Sequence, residues 1–98
     1  MPMMPPAPTP SRFPLGRVLA TPGALAHAKE HRLDLAALLS RHHRGDWGDV
    51  GPDDAAANEC ALRTGARLLS AYRTPTRILW VTTEADRSAT TLLLPDEY

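Results

Sequence analysis

Residues 76–94 read T-R-I-L-W-V-T-T-E-A-D-R-S-A-T-T-L-L-L. Two runs rich in β-branched and apolar residues flank a short polar segment, E-A-D-R-S, at residues 84–88. The flanking runs favour strands and the polar segment favours a turn, so the stretch predicts a β-hairpin with a polar tip. Residues 66–73 alternate in the same way and predict one more strand before it. The predicted strands are therefore residues 66–73, 77–83 and 90–94.

The middle of the chain predicts helices. Capping residues, prolines at first helical positions and a terminal glycine delimit three segments. These predicted helices cover residues 21–30, 34–43 and 52–64. Residues 13–20 predict a further strand at a sheet edge, since proline and glycine within it disfavour a central position.

Ninety-eight residues allow one domain. Consecutive short strands with tight turns favour antiparallel pairing, with helices on one face. The sequence thus predicts an α+β domain over residues 12–98. Its antiparallel sheet has a three-stranded carboxyl-terminal meander plus an amino-terminal edge strand, with about three helices packed on one face. Residues 1–11 hold five of the ten prolines and predict a disordered tail.

Charge is balanced overall but divided along the chain. The formal net charge is zero, with +4 over residues 1–45 and −4 over residues 46–98. A neutral chain is not typical of a general nucleic-acid binder, so we expect no direct nucleic-acid binding. The acidic half could face the basic groove of a partner, or it could simply be a solvated surface.

The single cysteine, Cys60, rules out an internal disulfide and suits a small buried residue better than a nucleophile. The amino terminus lacks the basic and apolar regions of a signal peptide. No apolar run approaches the roughly 20 residues of a membrane helix. We therefore expect a cytoplasmic protein with no membrane association.

The segment G-D-W-G-D at residues 45–49 places Trp47 between two glycines, which predicts unusual backbone angles. We expect Trp47 to fill a gap between the helices and the sheet, because buried aromatic side chains dominate small cores. Asn58 lies in the middle of a predicted helix, where it could bond across to a loop.

Two groups of potential metal ligands occur. Residues 27–31 match H-x-x-E-H, which places both histidines on one helical face. A protease of that type needs a further carboxylate ligand and a larger body, so we expect surface histidines without a metal. The second group, with a spacing that fits no standard zinc site, is His42, His43, Asp46 and Asp49. We expect no cofactor.

The polar tip could itself carry chemistry. Two carboxylates, a guanidinium and a hydroxyl at Glu84, Asp86, Arg87 and Ser88 could form an acid–base or phosphate-contacting site. Asp and Ser also favour turns by bonding to their own backbone, and that interpretation is preferred. Since a rigid polar turn makes a good protein contact, binding ranks above catalysis here.

Four strings of the sequence carry a family resemblance. Two of them are F-P-L-G-x-V-x-A-T-P-G-A-L at residues 13–25 and R-H-x-x-G-D-W-G-D at residues 41–49. The others are N-E-x-A-L-x-x-G-x-R-L-L-S-A-Y at residues 58–72 and W-V-T-T-E-A-D-R-S-A-T-T-L-L-L-P at residues 80–95. Together they resemble a family of small proteins found on plasmids, phages and integrated elements of bacteria. The resemblance implies a setting in mobile elements, where small proteins without enzyme motifs often act in counter-defence, and some resemble anti-CRISPR proteins.

The resemblance and the charge division together predict a non-enzymatic protein that binds and inhibits a CRISPR-Cas effector complex. The residues expected to contact that partner are Asp46, Trp47, Asp49, Asp53, Asp54, Glu84, Asp86 and Arg87. Two alternatives stay open. One is a small hydrolase or nuclease-accessory enzyme that uses the polar tip, and the other is a plasmid-maintenance regulator that binds DNA.

Overall fold

The computed structural model describes residues 11–98, so residues 1–10 of the predicted tail lie outside the described part. An α+β fold is confirmed, and the described residues form three α-helices and a four-stranded open sheet. The elements in chain order are β1 (Arg17–Ala20), α1 (Pro22–His31), α2 (Leu35–His43), α3 (Pro52–Thr64), β2 (Leu68–Arg73), β3 (Ile78–Thr83), β4 (Ala89–Leu93) and a final 3₁₀ turn (Pro95–Glu97).

The sheet has the order β1-β4-β3-β2. Strands β2, β3 and β4 form the predicted antiparallel meander, with Thr83 opposite Leu68 on one side and Thr90 on the other. Strand β1 takes the predicted edge but runs parallel to β4, with Val18 opposite Thr90. The sheet is therefore mixed. A parallel pair needs a long connection between its strands, and three helices and two strands supply it here.

The edge strand is shorter than predicted. It begins at Arg17, whereas residues 13–16 lie outside the strand. Pro14 has no N–H to donate, and Gly16 adopts a φ of 65°, so neither residue can continue the strand. Phe13 instead is buried and packs with Trp47 at a ring-centroid distance of 6.2 Å.

The core lies between the helices and one face of the sheet, as predicted. One cluster joins Tyr72, Leu79 and Val81 of the sheet to Ala24 of α1 and to the leucines of α2. A second cluster contains Phe13, Trp47, Ala61 and Leu68 and lies beside α3.

Each helix begins as its sequence predicts. The Thr21 hydroxyl accepts the Ala24 N–H at 3.1 Å, and the Asp34 carboxylate accepts the Ala37 N–H at 3.1 Å. The Glu97 carboxylate also links the final 3₁₀ turn to the start of α1, because it accepts hydrogen bonds from the Thr21 hydroxyl and the Gly23 N–H. No helix within residues 11–98 has both the length and the apolar character needed to cross a membrane.

Candidate functional site

The G-D-W-G-D segment docks onto the outer edge of β2. The Ala71 N–H donates to the Trp47 carbonyl at 3.1 Å, and the Asp49 N–H donates to the Ala71 carbonyl at 2.6 Å. The Asp49 carboxylate accepts the Arg73 N–H at 2.8 Å. These bonds occupy backbone groups that an edge strand would otherwise expose to another chain. Asp49 thus has a structural role beside any contact with a partner.

Asn58 of α3 occupies further backbone groups of β2. Its amide donates to the Leu69 carbonyl at 2.7 Å, and its carbonyl oxygen accepts the Leu69 N–H at 3.1 Å. The predicted bond from mid-helix is therefore present, although it reaches a strand and not a loop. A buried amide that satisfies both groups of one residue fixes the distance between α3 and β2.

The two glycines of the segment have the unusual backbone angles that the sequence predicts. Gly45 and Gly48 adopt φ values of 86° and 75°. At Gly48 a Cβ atom would overlap the Ala71 carbonyl and the Tyr72 ring, so no other residue fits between the segment and β2.

Trp47 fills the predicted gap between helices and sheet, with 7% of its surface exposed. Its Nε1–H donates to the Glu59 carboxylate at 2.9 Å, and its ring meets the His42 ring edge-on at 5.8 Å. Glu59 also accepts two bonds from Arg12, which together with the Trp47 bond lower the pKa of the carboxyl group. The position of Trp47 makes it a core residue, with little surface for a partner to contact.

A buried chain of polar side chains lies beneath Trp47 and was not predicted. The Thr90 hydroxyl donates to the Leu15 carbonyl at 2.7 Å, so it accepts from Thr83 at 2.8 Å. Thr83 in turn accepts from Nε2 of His42 at 2.8 Å. Burial lowers the pKa of His42 to about 4, so the ring is neutral here. Its Nδ1 therefore keeps a lone pair and accepts the Ser70 hydroxyl at 2.5 Å.

The hairpin tip is anchored to the carboxyl-terminal end of α3. The Arg87 guanidinium donates to the carbonyl oxygens of Ala66 at 2.6 Å and Ala61 at 3.0 Å. Asp86 accepts the Ser88 N–H at 3.0 Å, and its bonds to Ser88 lower the pKa of the carboxyl group. The polar groups of the tip are thus largely bonded to one another and to the main chain, as the turn interpretation predicts.

Arg87→Ala should lower the free energy of unfolding by about 2 kcal/mol, because a charged donor to several carbonyl groups is lost. Urea unfolding of the purified protein measures this. Arg63→Ala, which removes an exposed arginine of α3, is the matched control. Its free energy of unfolding should stay within about 0.5 kcal/mol of the wild-type value. Equal effects of the two substitutions would contradict the anchoring role of Arg87.

The predicted contact residues fall into two groups. The acidic residues at positions 46–54 lie near the β2 edge and the start of α3, whereas the tip lies at the other end of α3. Asp54 and Ala61 are separated by about 10 Å along the helix axis. The expected surface is therefore not one compact patch.

Not all of these carboxylates are available to a partner. Asp46 pairs with Arg41 at 2.7 Å, and that bond lowers the pKa of its carboxyl group. Asp49 is bound to the β2 backbone. The exposed predicted carboxylates that neither form an ion pair with another described residue nor bind the β2 backbone are Asp53, Asp54, Glu84 and Asp86.

Two predictions about burial are wrong. Cys60 is exposed, because α3 turns Asn58 and Ala61 toward the core and the adjacent Cys60 outward. His27 is buried, with 5% of its surface exposed, where a surface histidine was expected. Its Nε2 bonds to the Thr74 hydroxyl at 2.8 Å, which explains how the polar ring is tolerated inside.

Only one group within residues 11–98 has side chains arranged as metal ligands. It consists of His27, Glu30 and His31, from each of which one ligand atom lies within 4.8 Å of the other two. The second potential group of the sequence does not assemble, because His42 points into the buried polar chain and Asp46 pairs with Arg41.

Comparison with models of protein families, with curated proteins and with solved structures gives no match. The structure gives residues in two of the quoted strings a role in the fold of this chain. G-D-W-G-D closes the β2 edge and supplies the Trp47 core contact, and Arg87 in E-A-D-R-S anchors the hairpin. These residues therefore act on the fold, and the carboxylates of Asp53, Asp54 and Glu84 beside them are exposed.

Proposed function

We propose that this chain is a non-enzymatic, cytoplasmic counter-defence protein that binds and inhibits a CRISPR-Cas effector complex. The observation that carries the proposal concerns the predicted contact residues. Four of their carboxylates are exposed and have neither an ion pair nor a bond to the β2 backbone among the described residues: Asp53, Asp54, Glu84 and Asp86. Effector complexes hold nucleic acid in positively charged channels, which such carboxylates would complement. The resemblance to proteins of mobile elements supplies the biological setting.

The polar groups of the fold support binding over catalysis. Within residues 11–98, every buried side-chain nitrogen and oxygen has a hydrogen-bond partner inside the protein. The alternative of a hydrolase at the hairpin tip needs Arg87 to face a substrate. Its guanidinium instead binds main-chain carbonyl groups, including that of Ala61. No observation therefore favours the enzyme.

The outer side of α3 is suited to a close contact. Asp53 and Asp54 are exposed at its first turn, followed by exposed Ala56, Ala57 and Cys60. Small side chains let a partner approach the helix backbone. The two carboxylates next to them favour a positively charged partner. Such charges affect mostly the orientation of the partner and the rate of association.

Charge reversal at α3 should weaken partner capture. Asp53→Lys with Asp54→Lys should reduce the amount of effector complex retained in a pull-down by about tenfold at low salt, as close charge pairs across interfaces are each worth about 1 kcal/mol or more. The reversal places like charges against the basic groove. Purified effector complex and immobilised full-length protein are the components.

Glu30→Lys is the matched control, because it reverses an exposed carboxylate on α1 and should retain capture. Unchanged capture by the double variant would contradict the electrostatic part of the proposal. A DNA-binding regulator makes a different prediction, a mobility shift of DNA at low salt with the protein alone, and we expect no such shift.

A further inference from the structure

The last turn of α1 gathers three side chains that bind metals readily. His27 and His31 lie four residues apart, so they share one face of the helix, and Glu30 lies beside them. One ligand atom from each lies within 4.8 Å of the other two, and the imidazole ring centroids are 4.6 Å apart. Because bonds from zinc to nitrogen or oxygen are about 2.0–2.2 Å long, small side-chain rotations would bring all three atoms onto one ion.

Hydrogen bonding holds His27 in the tautomer that a metal ligand needs. The Thr74 hydroxyl donates to the Arg77 carbonyl at 2.5 Å, so it accepts the Nε2–H of His27. The other ring nitrogen keeps its lone pair. Histidines that bind metals typically donate their second N–H to an outer partner of this kind.

The surrounding charges also allow a cation. Arg77, whose charge acts on His27, is paired with Asp96 at 2.8 Å. The Glu30 carboxylate lies 4.0 Å from Nε2 of His31 and brings a negative charge. The His31 side chain is 20% exposed and that of Glu30 74% exposed, so an ion can reach the cluster from solvent.

We propose that His27, Glu30 and His31 bind a late first-row divalent ion such as Zn²⁺, with water completing the coordination. Two imidazoles and one carboxylate suit such ions, and the group leaves room for a fourth ligand. The bound ion would fix the end of α1 against the β2–β3 turn through the bond from His27 to Thr74. This role is independent of the proposed binding to an effector complex.

Calorimetric titration of the chelator-treated full-length protein with ZnCl₂ tests the site. Wild type should bind one ion saturably, and His31→Gln should weaken binding by at least about tenfold, since loss of an outer partner alone costs about 10–100-fold. Glu30→Gln should weaken it less, because both imidazoles remain. His31 is chosen over His27 because it is less buried and its loss leaves the core intact.

His43→Gln is the matched control, because it removes an imidazole from α2 and leaves the cluster untouched. It should bind Zn²⁺ as wild type does. Circular dichroism of each variant shows whether the fold is kept. Absence of saturable binding by wild type, equal affinity of His31→Gln, or an equal loss in His43→Gln would each overturn the proposal.

Discussion

Lowering the pH from 7 to 4 should remove about 3 kcal/mol from the free energy of unfolding through His42 alone. His42 has a pKa of about 4 in the folded protein against an ordinary value of 6.5, since burial disfavours its charged form. The unfolded chain therefore binds a proton more readily as pH falls below 6.5. Stability from this group is complete above that pH, is lost progressively down to pH 4, and changes little below.

The measurement is urea unfolding at pH 7 and pH 4 for wild type and His42→Gln. Glutamine does not titrate, and its amide can still donate to Thr83, so the variant should lose about 3 kcal/mol less on acidification. His27 titrates in the same direction, and both proteins retain it, so its effect cancels in the comparison. Equal losses in the two proteins would show that His42 is not the buried neutral group of the polar chain.

Trp47→Ala should lower the free energy of unfolding by about 3–5 kcal/mol, a large share of the stability of a small domain. The substitution empties the space against Phe13 and His42 and removes a donor to Glu59. It should also loosen the attachment of the G-D-W-G-D segment to β2. Chemical unfolding, with the midpoint and slope both recorded, measures the loss.

Trp47→Phe separates packing from hydrogen bonding. It keeps an aromatic ring beside Phe13 and removes only the bond to Glu59 and part of the ring, so we expect a loss of about 1–2 kcal/mol. A loss in Trp47→Ala as small as that in Trp47→Phe would contradict the core position of the side chain. Any effect of Trp47→Ala on partner capture should follow its effect on folding.

Much of the fold can be predicted because it depends on local chemistry. The meander follows from alternation in residues 66–94, and the helix starts follow from capping by Thr21 and Asp34. The direction of β1 could not be predicted, since its pairing with β4 joins residues more than 70 positions apart. Local sequence does not determine which strand a single edge strand pairs with, or whether the pair is parallel or antiparallel.

The spatial arrangement of the candidate site also depends on contacts between distant residues, which the sequence does not show. The acidic residues were recognised from their charge, but the length of α3 separates Asp53 and Asp54 from the tip at Glu84 and Asp86. Which carboxylates are already paired depends on distant partners, as for Glu59 with Arg12.

The buried chain through His42 corresponds to a pattern in the sequence. Ser70, Thr83 and Thr90 occupy strand positions that alternation turns toward the core. Polar side chains at inward positions need hydrogen-bond partners. His42, the buried residue of α2, provides them. The sequence predicts the burial of His27 less clearly, because its hydrogen-bond partner Thr74 lies in a turn and not in a strand.

The most direct test of the proposed function is target-DNA binding by purified CRISPR-Cas effector complexes in the presence of increasing amounts of this protein. The account predicts that the protein abolishes the shift of target DNA by at least one effector complex in a saturable way, and that Asp53→Lys with Asp54→Lys requires about tenfold more protein for the same effect. Unimpaired DNA binding by every complex at saturating amounts of folded protein would contradict it.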